Sequence, residues 1–103
     1  MNKYKKEIIE VEEIKHEYET IIIFDINTKI TEINDIKNFI KQDIYQEPKF
    51  DIIGIKNYTT KNSDLAFYIN VKTFCSSNNL ENFNNYLKRK SCVLKFLSVI
   101  FEK

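Results

Sequence analysis

Residues 65–73 alternate more cleanly than any other stretch of this 103-residue chain. Leu65, Phe67, Ile69 and Val71 fall on one side of an extended backbone, and Ala66, Tyr68, Asn70 and Lys72 on the other. A strand of this kind buries one face only. The sheet that holds it is therefore covered on the apolar side and open on the side of the tyrosine, amide and lysine.

The neighbouring segments supply the cover. Glu17 to Ile26 is rich in β-branched and aromatic residues and exits through Asp25-Ile26-Asn27-Thr28, which predicts a first strand and a turn. Thr31 is placed as an N-cap, and Ile33, Ile36, Ile40 and Ile44 recur at helical spacing, so the first helix ends before Pro48. Phe50 to Thr59 reads as a second strand with Phe50, Ile52, Gly54, Lys56 and Tyr58 on one side, followed by a polar turn over 61–64. Asn78 and Glu81 form a capping-box-like start to a second helix, lined by Leu80, Phe83 and Leu87. Cys92 to Phe101 is a fourth strand, apolar on both faces and so expected at the centre of the sheet. The order β-α-β-β-α-β predicts an α+β, ferredoxin-like sandwich, a four-stranded antiparallel sheet with both helices on one face. Residues 17–103 form that domain, and 1–16 are an N-terminal extension, either a short charged helix or a disordered arm.

Composition excludes most cofactor enzymes. A single glycine, Gly54, cannot build a P-loop, a dinucleotide fingerprint or a nucleophile elbow. Two cysteines, Cys75 and Cys92, are too few for a disulfide framework or a four-cysteine zinc site; they suit a reducing compartment and small buried positions. The only histidine, His16, has no nucleophile near it in sequence, so no catalytic or metal residue is expected and no cofactor is implied. The longest apolar run, Ile21 to Phe24, is too short to cross a membrane. Net charge is +1 but uneven: residues 1–26 hold four lysines against seven acids, and residues 27–103 hold eleven lysines and Arg89 against eight. The densest cluster is Lys88-Arg89-Lys90, which reads as a solvated helix end or as a contact for a polyanion.

Two motifs add a resemblance. The first strand opens Tyr18-Glu19-Thr20 and continues Ile21-Ile22-Ile23-Phe24, and the last runs Val93-Leu94-Lys95-Phe96-Leu97-Ser98-Val99. These are similar to the opening Y-E-[TI] strand and the V-[LI]-R-[FY]-[LM]-x-V signature of the bacterial-type small-subunit ribosomal protein six family. Asn79-Leu80-Glu81-Asn82-Phe83 is similar to the start of that family's second helix. Only Gly54 and Lys56, with Tyr58 nearby, can be laid on its basic second strand, and its L-A-Y-P-I segment is absent. That departure and the extra arm before Tyr18 suggest a divergent organellar member, in the mitochondrial matrix, with a bacterial cytoplasm or plastid stroma as alternatives.

The resemblance implies a non-catalytic constituent of the platform of the small ribosomal subunit. It would act in translation, bind small-subunit rRNA beside ribosomal protein S-eighteen and neighbouring proteins, and take no small-molecule substrate. Lys56 and Lys95 match basic positions of the family and are the first rRNA-contact candidates; the plain alternative is a lysine that snorkels to solvent. Tyr58 lies beside that basic strand. Tyr68 and Lys72 share the open face, where the ring can stack on a base or pack on protein. Lys88, Arg89 and Lys90 approach phosphate if their end of the domain faces rRNA. Two other classes share the element order. An RNA-recognition motif would want a K/R-G-F-G-F-V core, and the third strand here has no glycine. An acylphosphatase-like hydrolase would want an anion-cradling loop after the first strand, and Asp25-Ile26-Asn27-Thr28 offers neither arginine nor glycine.

Overall fold

The computed structural model describes residues 14–43, 48–57 and 65–100. The extension up to residue 13, Ile44, Tyr58, the 61–64 turn and Phe101 lie outside the described residues. The elements run β1 (Lys15–Asp25), α1 (Ile30–Asp43), β2 (Lys49–Asn57), β3 (Leu65–Ser76), α2 (Ser77–Lys88) and β4 (Val93–Ile100). The strands form one sheet in the order β2-β3-β1-β4, and every neighbouring pair is antiparallel. This is the ferredoxin-like β-α-β-β-α-β sandwich expected from the sequence.

Register explains the layering. Tyr18, Thr20, Ile22 and Phe24 of β1 stand opposite Thr73, Val71, Ile69 and Phe67 of β3, so these residues share one face. Ile36 and Ile40 of α1 and Phe83 and Leu87 of α2 close over them as a single buried cluster. Each such side chain contributes about 1.5–3 kcal/mol by leaving water. Above the cluster Phe39 stacks on Tyr86, with ring centroids 3.9 Å apart and planes 7° from parallel, tying the two helices together.

Thr20 is fully buried in this apolar layer, and its hydroxyl is satisfied. It shares a 2.7 Å hydrogen bond with the Ser98 hydroxyl on β4. Ser98 donates in turn to Asn84 Oδ1 on α2, at 3.0 Å. A polar thread therefore crosses the core from β1 through β4 to α2, with no hydroxyl of it unpaired.

Four expectations are corrected. β4 is an edge strand bonded to β1, not a central one. Its apolar residues on both faces are not all buried: Leu97 is 61% and Val99 47% exposed. The N-cap of α2 is Ser76, two residues before Asn78; its hydroxyl accepts from the Asn79 backbone N–H at 3.2 Å and donates to Asn79 Oδ1 at 2.6 Å. That cap works because β3 runs on to Ser76 and delivers a hydroxyl where the helix has unpaired N–H groups. Thr31 lies inside the first turn of α1 and does not cap it; the chain enters through an Asx turn in which Asp25 Oδ1 accepts from the Asn27 N–H at 2.8 Å. Lastly, Phe50, Ile52, Gly54 and Lys56 do not share a side. Ile52 pairs with Ile69 and Gly54 with Tyr68, so Ile53 is an extra residue in a β-bulge.

Candidate nucleic-acid interface

The bulge in β2 decides what the open face carries. Phe50 and Ile52 point toward the helices, opposite Val71 and Ile69. In a regular strand Gly54 and Lys56 would follow them. The extra residue shifts the parity, so Gly54 and Lys56 lie opposite Tyr68 and Ala66 on the open side. Gly54 takes a φ of +121°, which L side chains rarely adopt, while a β-carbon there would meet nothing within 4 Å. Backbone conformation, not space, requires the glycine.

The open face then reads as rows across the sheet. One row is Lys95, Ile23, Tyr68 and Gly54; the next is Leu97, Ile21, Asn70 and Asp51; the next is Val99, Glu19, Lys72 and Lys49. Asp25, Ala66 and Lys56 stand above the first row, and Glu17 and Phe74 below the last. No described helix lies on this side. Tyr68 reaches over toward β2, its hydroxyl donating to the Asn57 carbonyl at 3.3 Å. Beside it the glycine leaves room for a flat group.

Charge on this face is balanced. Lys49, Lys56, Lys72 and Lys95 stand with Glu17, Glu19, Asp25 and Asp51. Glu19 Oε2 lies 3.7 Å from Lys72 Nζ and accepts a 3.5 Å hydrogen bond from Asn70 Nδ2. Asn70 Oδ1 is buried and has no hydrogen-bond partner, a cost of roughly 1–3 kcal/mol at the centre of the face.

Of the sequence candidates, Lys56, Tyr68, Lys72 and Lys95 come together here from three strands. Tyr58 lies outside the described residues. Lys88, Arg89 and Lys90 do not join this face. Lys88 and Arg89 line a groove on the helix side with Phe39, Asn82 and Asn85. Lys90 folds back over the Tyr86 ring, its Nζ 4.9 Å from the centroid. The Tyr86 hydroxyl, with Asp35 of α1 adding less, holds its ammonium above the ordinary lysine value. Lys49 was missed because only the β2–β3 register sets it opposite Lys72. Both thiols are pushed above their ordinary value, chiefly by burial, with Glu32 adding to the effect at Cys92. Among the described residues no group of His, Cys, Asp or Glu could hold a metal ion. No described helix is long and apolar enough to cross a membrane.

The architecture has known counterparts. The chain is similar to 30S ribosomal protein S6 from Thermotoga maritima, with a TM-score of 0.71 and 17% identity over 85% of this chain and 89% of that one. It is also similar to an uncharacterized protein from Thermotoga maritima, with a TM-score of 0.54 and 16% identity over 86% and 100% of the two chains. At these identities the likeness is one of fold. No protein-family model matches the chain, and no curated protein does.

Proposed function

We propose that this chain is a non-catalytic constituent of the small ribosomal subunit that meets small-subunit rRNA and a partner ribosomal protein across its open sheet face. The observation that carries the reading is the gathering of Lys56, Tyr68, Lys72 and Lys95 on a face that no described helix covers, in a fold similar to ribosomal protein S6. Lysines supply phosphate contacts, and the Tyr68 ring beside Gly54 supplies a stacking platform.

The balance of charge shapes the role. Four lysines against four acids give little long-range attraction for naked RNA. The apolar residues between them, Ile21, Ile23, Leu97 and Val99, suit a protein surface. Shared contact with rRNA and a protein, ribosomal protein S-eighteen on the family resemblance, uses both. Tyr58 belongs to this site on the resemblance alone. Lys88 and Arg89 form a second phosphate contact around the same end of the domain, on the helix side. The mitochondrial reading rests on sequence alone, namely the extra arm before Tyr18 and the absent L-A-Y-P-I segment.

An RNA-recognition motif is disfavoured by the open face of β1. That motif stacks bases on aromatics of its first and third strands, but β1 presents Glu19, Ile21 and Ile23, and Phe67 of β3 faces the helices. Sedimentation of tagged protein tests the choice. The chain is expected in the small-subunit peak, and Lys56→Glu with Lys95→Glu should cut incorporation about tenfold or more, equivalent to roughly 1.4 kcal/mol, at unchanged melting temperature. Recovery only as free protein on short single-stranded RNA, or normal incorporation of the folded double variant, would refute it.

A further inference from the structure

The two edges of the sheet are defended very differently. β2 carries Lys49, Asp51 and Lys56, a bulge at Ile53 and a positive-φ glycine, devices that keep an edge from pairing with another strand. β4 has one charge in eight residues, Lys95, and neither proline nor glycine. Its irregularity is confined to the start, where Leu94 is the extra residue between Val93 and Lys95. Beyond it Leu97, Val99 and Ile100 are 61%, 47% and 53% exposed; Ile52, Ile53 and Ile55 of β2 are exposed to a similar degree, so charge and backbone irregularity are what separate the two edges. Among the described residues nothing pairs with the outer side of β4, and an apolar edge with one charge is a template for another strand.

We propose that β4 pairs with β4 of a second copy of this chain, antiparallel, about a two-fold axis that passes Leu97. The pairing is self-complementary in a way that the rows above define. A two-fold perpendicular to the sheet keeps both helix layers on one side, so only residues of like parity can meet. Leu97 then faces its own mate, and the row becomes Ile21, Leu97, Leu97 and Ile21, an unbroken apolar strip across the junction. Lys95 faces Val99 of the second copy. One strand further lies Glu19 of that copy, because Glu19 is paired with Val99. The separation is two inter-strand steps, about 9.6 Å; to span it with an extended lysine, Glu19, whose Oε2 in the single chain meets Lys72 and Asn70 of β3, turns toward β4. The symmetry makes this contact twice. Among the described residues no ion pair within the chain involves Lys95, so the cation is available for it. The result is a continuous eight-stranded sheet whose open face is doubled.

The inference goes beyond the ribosomal reading and is tested without RNA. Sedimentation equilibrium of the full chain, from about 1 μM to about 1 mM, should show a concentration-dependent shift from monomer to dimer mass. Leu97→Glu should leave monomer throughout, with the circular dichroism spectrum of the folded domain. Lys95→Glu and Glu19→Lys should each raise the dissociation constant about tenfold, and the two combined should restore most of the loss. Ile55→Glu, on the guarded edge, should leave association unchanged. A chain that stays monomeric to the top of that range overturns the proposal, and so does a dimer indifferent to Leu97→Glu or a charge reversal that fails to rescue. RNA-binding results bear on the previous reading alone.

Discussion

Replacing Gly54 by alanine isolates the cost of the bulge. Nothing within 4 Å opposes a β-carbon at that position, so steric clash contributes nothing. What remains is the backbone: at φ +121° a non-glycine residue is strained by about 1–3 kcal/mol. A domain of this size has roughly 5–15 kcal/mol in total, and each kcal/mol moves the melting temperature by about 4–8 °C. Gly54→Ala is therefore expected to melt about 4–24 °C lower, with the urea slope unchanged because the same surface is exposed on unfolding. The decisive arm deletes Ile53. Removal of the extra residue leaves Ile52 opposite Ile69, Gly54 opposite Tyr68 and Lys56 on the open face, now in a regular strand. In that background alanine no longer meets a left-handed backbone, and it should stabilise by about 0.5–1 kcal/mol, since glycine weakens a strand interior. The sign of one substitution thus reverses with the presence of its neighbour. Urea titrations followed by far-ultraviolet circular dichroism and tyrosine fluorescence suit a chain with six tyrosines and no tryptophan. An equal cost in both backgrounds, or less than about 0.5 kcal/mol in the parent, would show that the bulge does not impose the glycine.

Two further outcomes follow from the core. Thr20→Val removes the first member of the Thr20–Ser98–Asn84 thread and should cost about 1–3 kcal/mol despite conserving shape, read as a lower denaturant midpoint; no loss would mean that Ser98 and Asn84 satisfy each other alone. The two thiols set an alkaline limit. Burial raises Cys75 and Cys92 in the fold above the ordinary 9.0, so the unfolded chain ionises first. Their contribution is fully present below pH 9.0 and is lost as pH rises through the folded values. Stability that keeps rising above pH 9 in the wild type, or falls equally in Cys75→Ala with Cys92→Ala, would contradict that assignment.

The alternation of residues 65–73 located β3 and correctly divided its two faces, because a half-buried strand writes its environment at every second residue. The isoleucines at 33, 36 and 40 did the same for α1. Sequence could not place β4 in the sheet. Apolar residues on both faces signal burial or association alike, and only the strand order separates the two. Nor could it see the β2 bulge: strict alternation from Phe50 misassigned Lys56, although the lone glycine at 54 was the available signal. Lys88, Arg89 and Lys90 were grouped by adjacency in the chain. Lys88 and Arg89 instead line a groove on the helix side and Lys90 folds over Tyr86, off the sheet face that carries Lys56 and Lys95, a separation that linear spacing does not encode.

The thread from Thr20 to Asn84 also solves a problem of alignment. β4 is so uniformly greasy that sliding it two residues along β1 would still set hydrophobic groups against the helices. Such a slip would put Phe96 or Ile100 beside the Thr20 hydroxyl and strand that group in a dry interior, at about 1–3 kcal/mol. A single pair of alcohols thereby indexes the outermost strand, and through it fixes which side chains the rim of the molecule shows to whatever approaches.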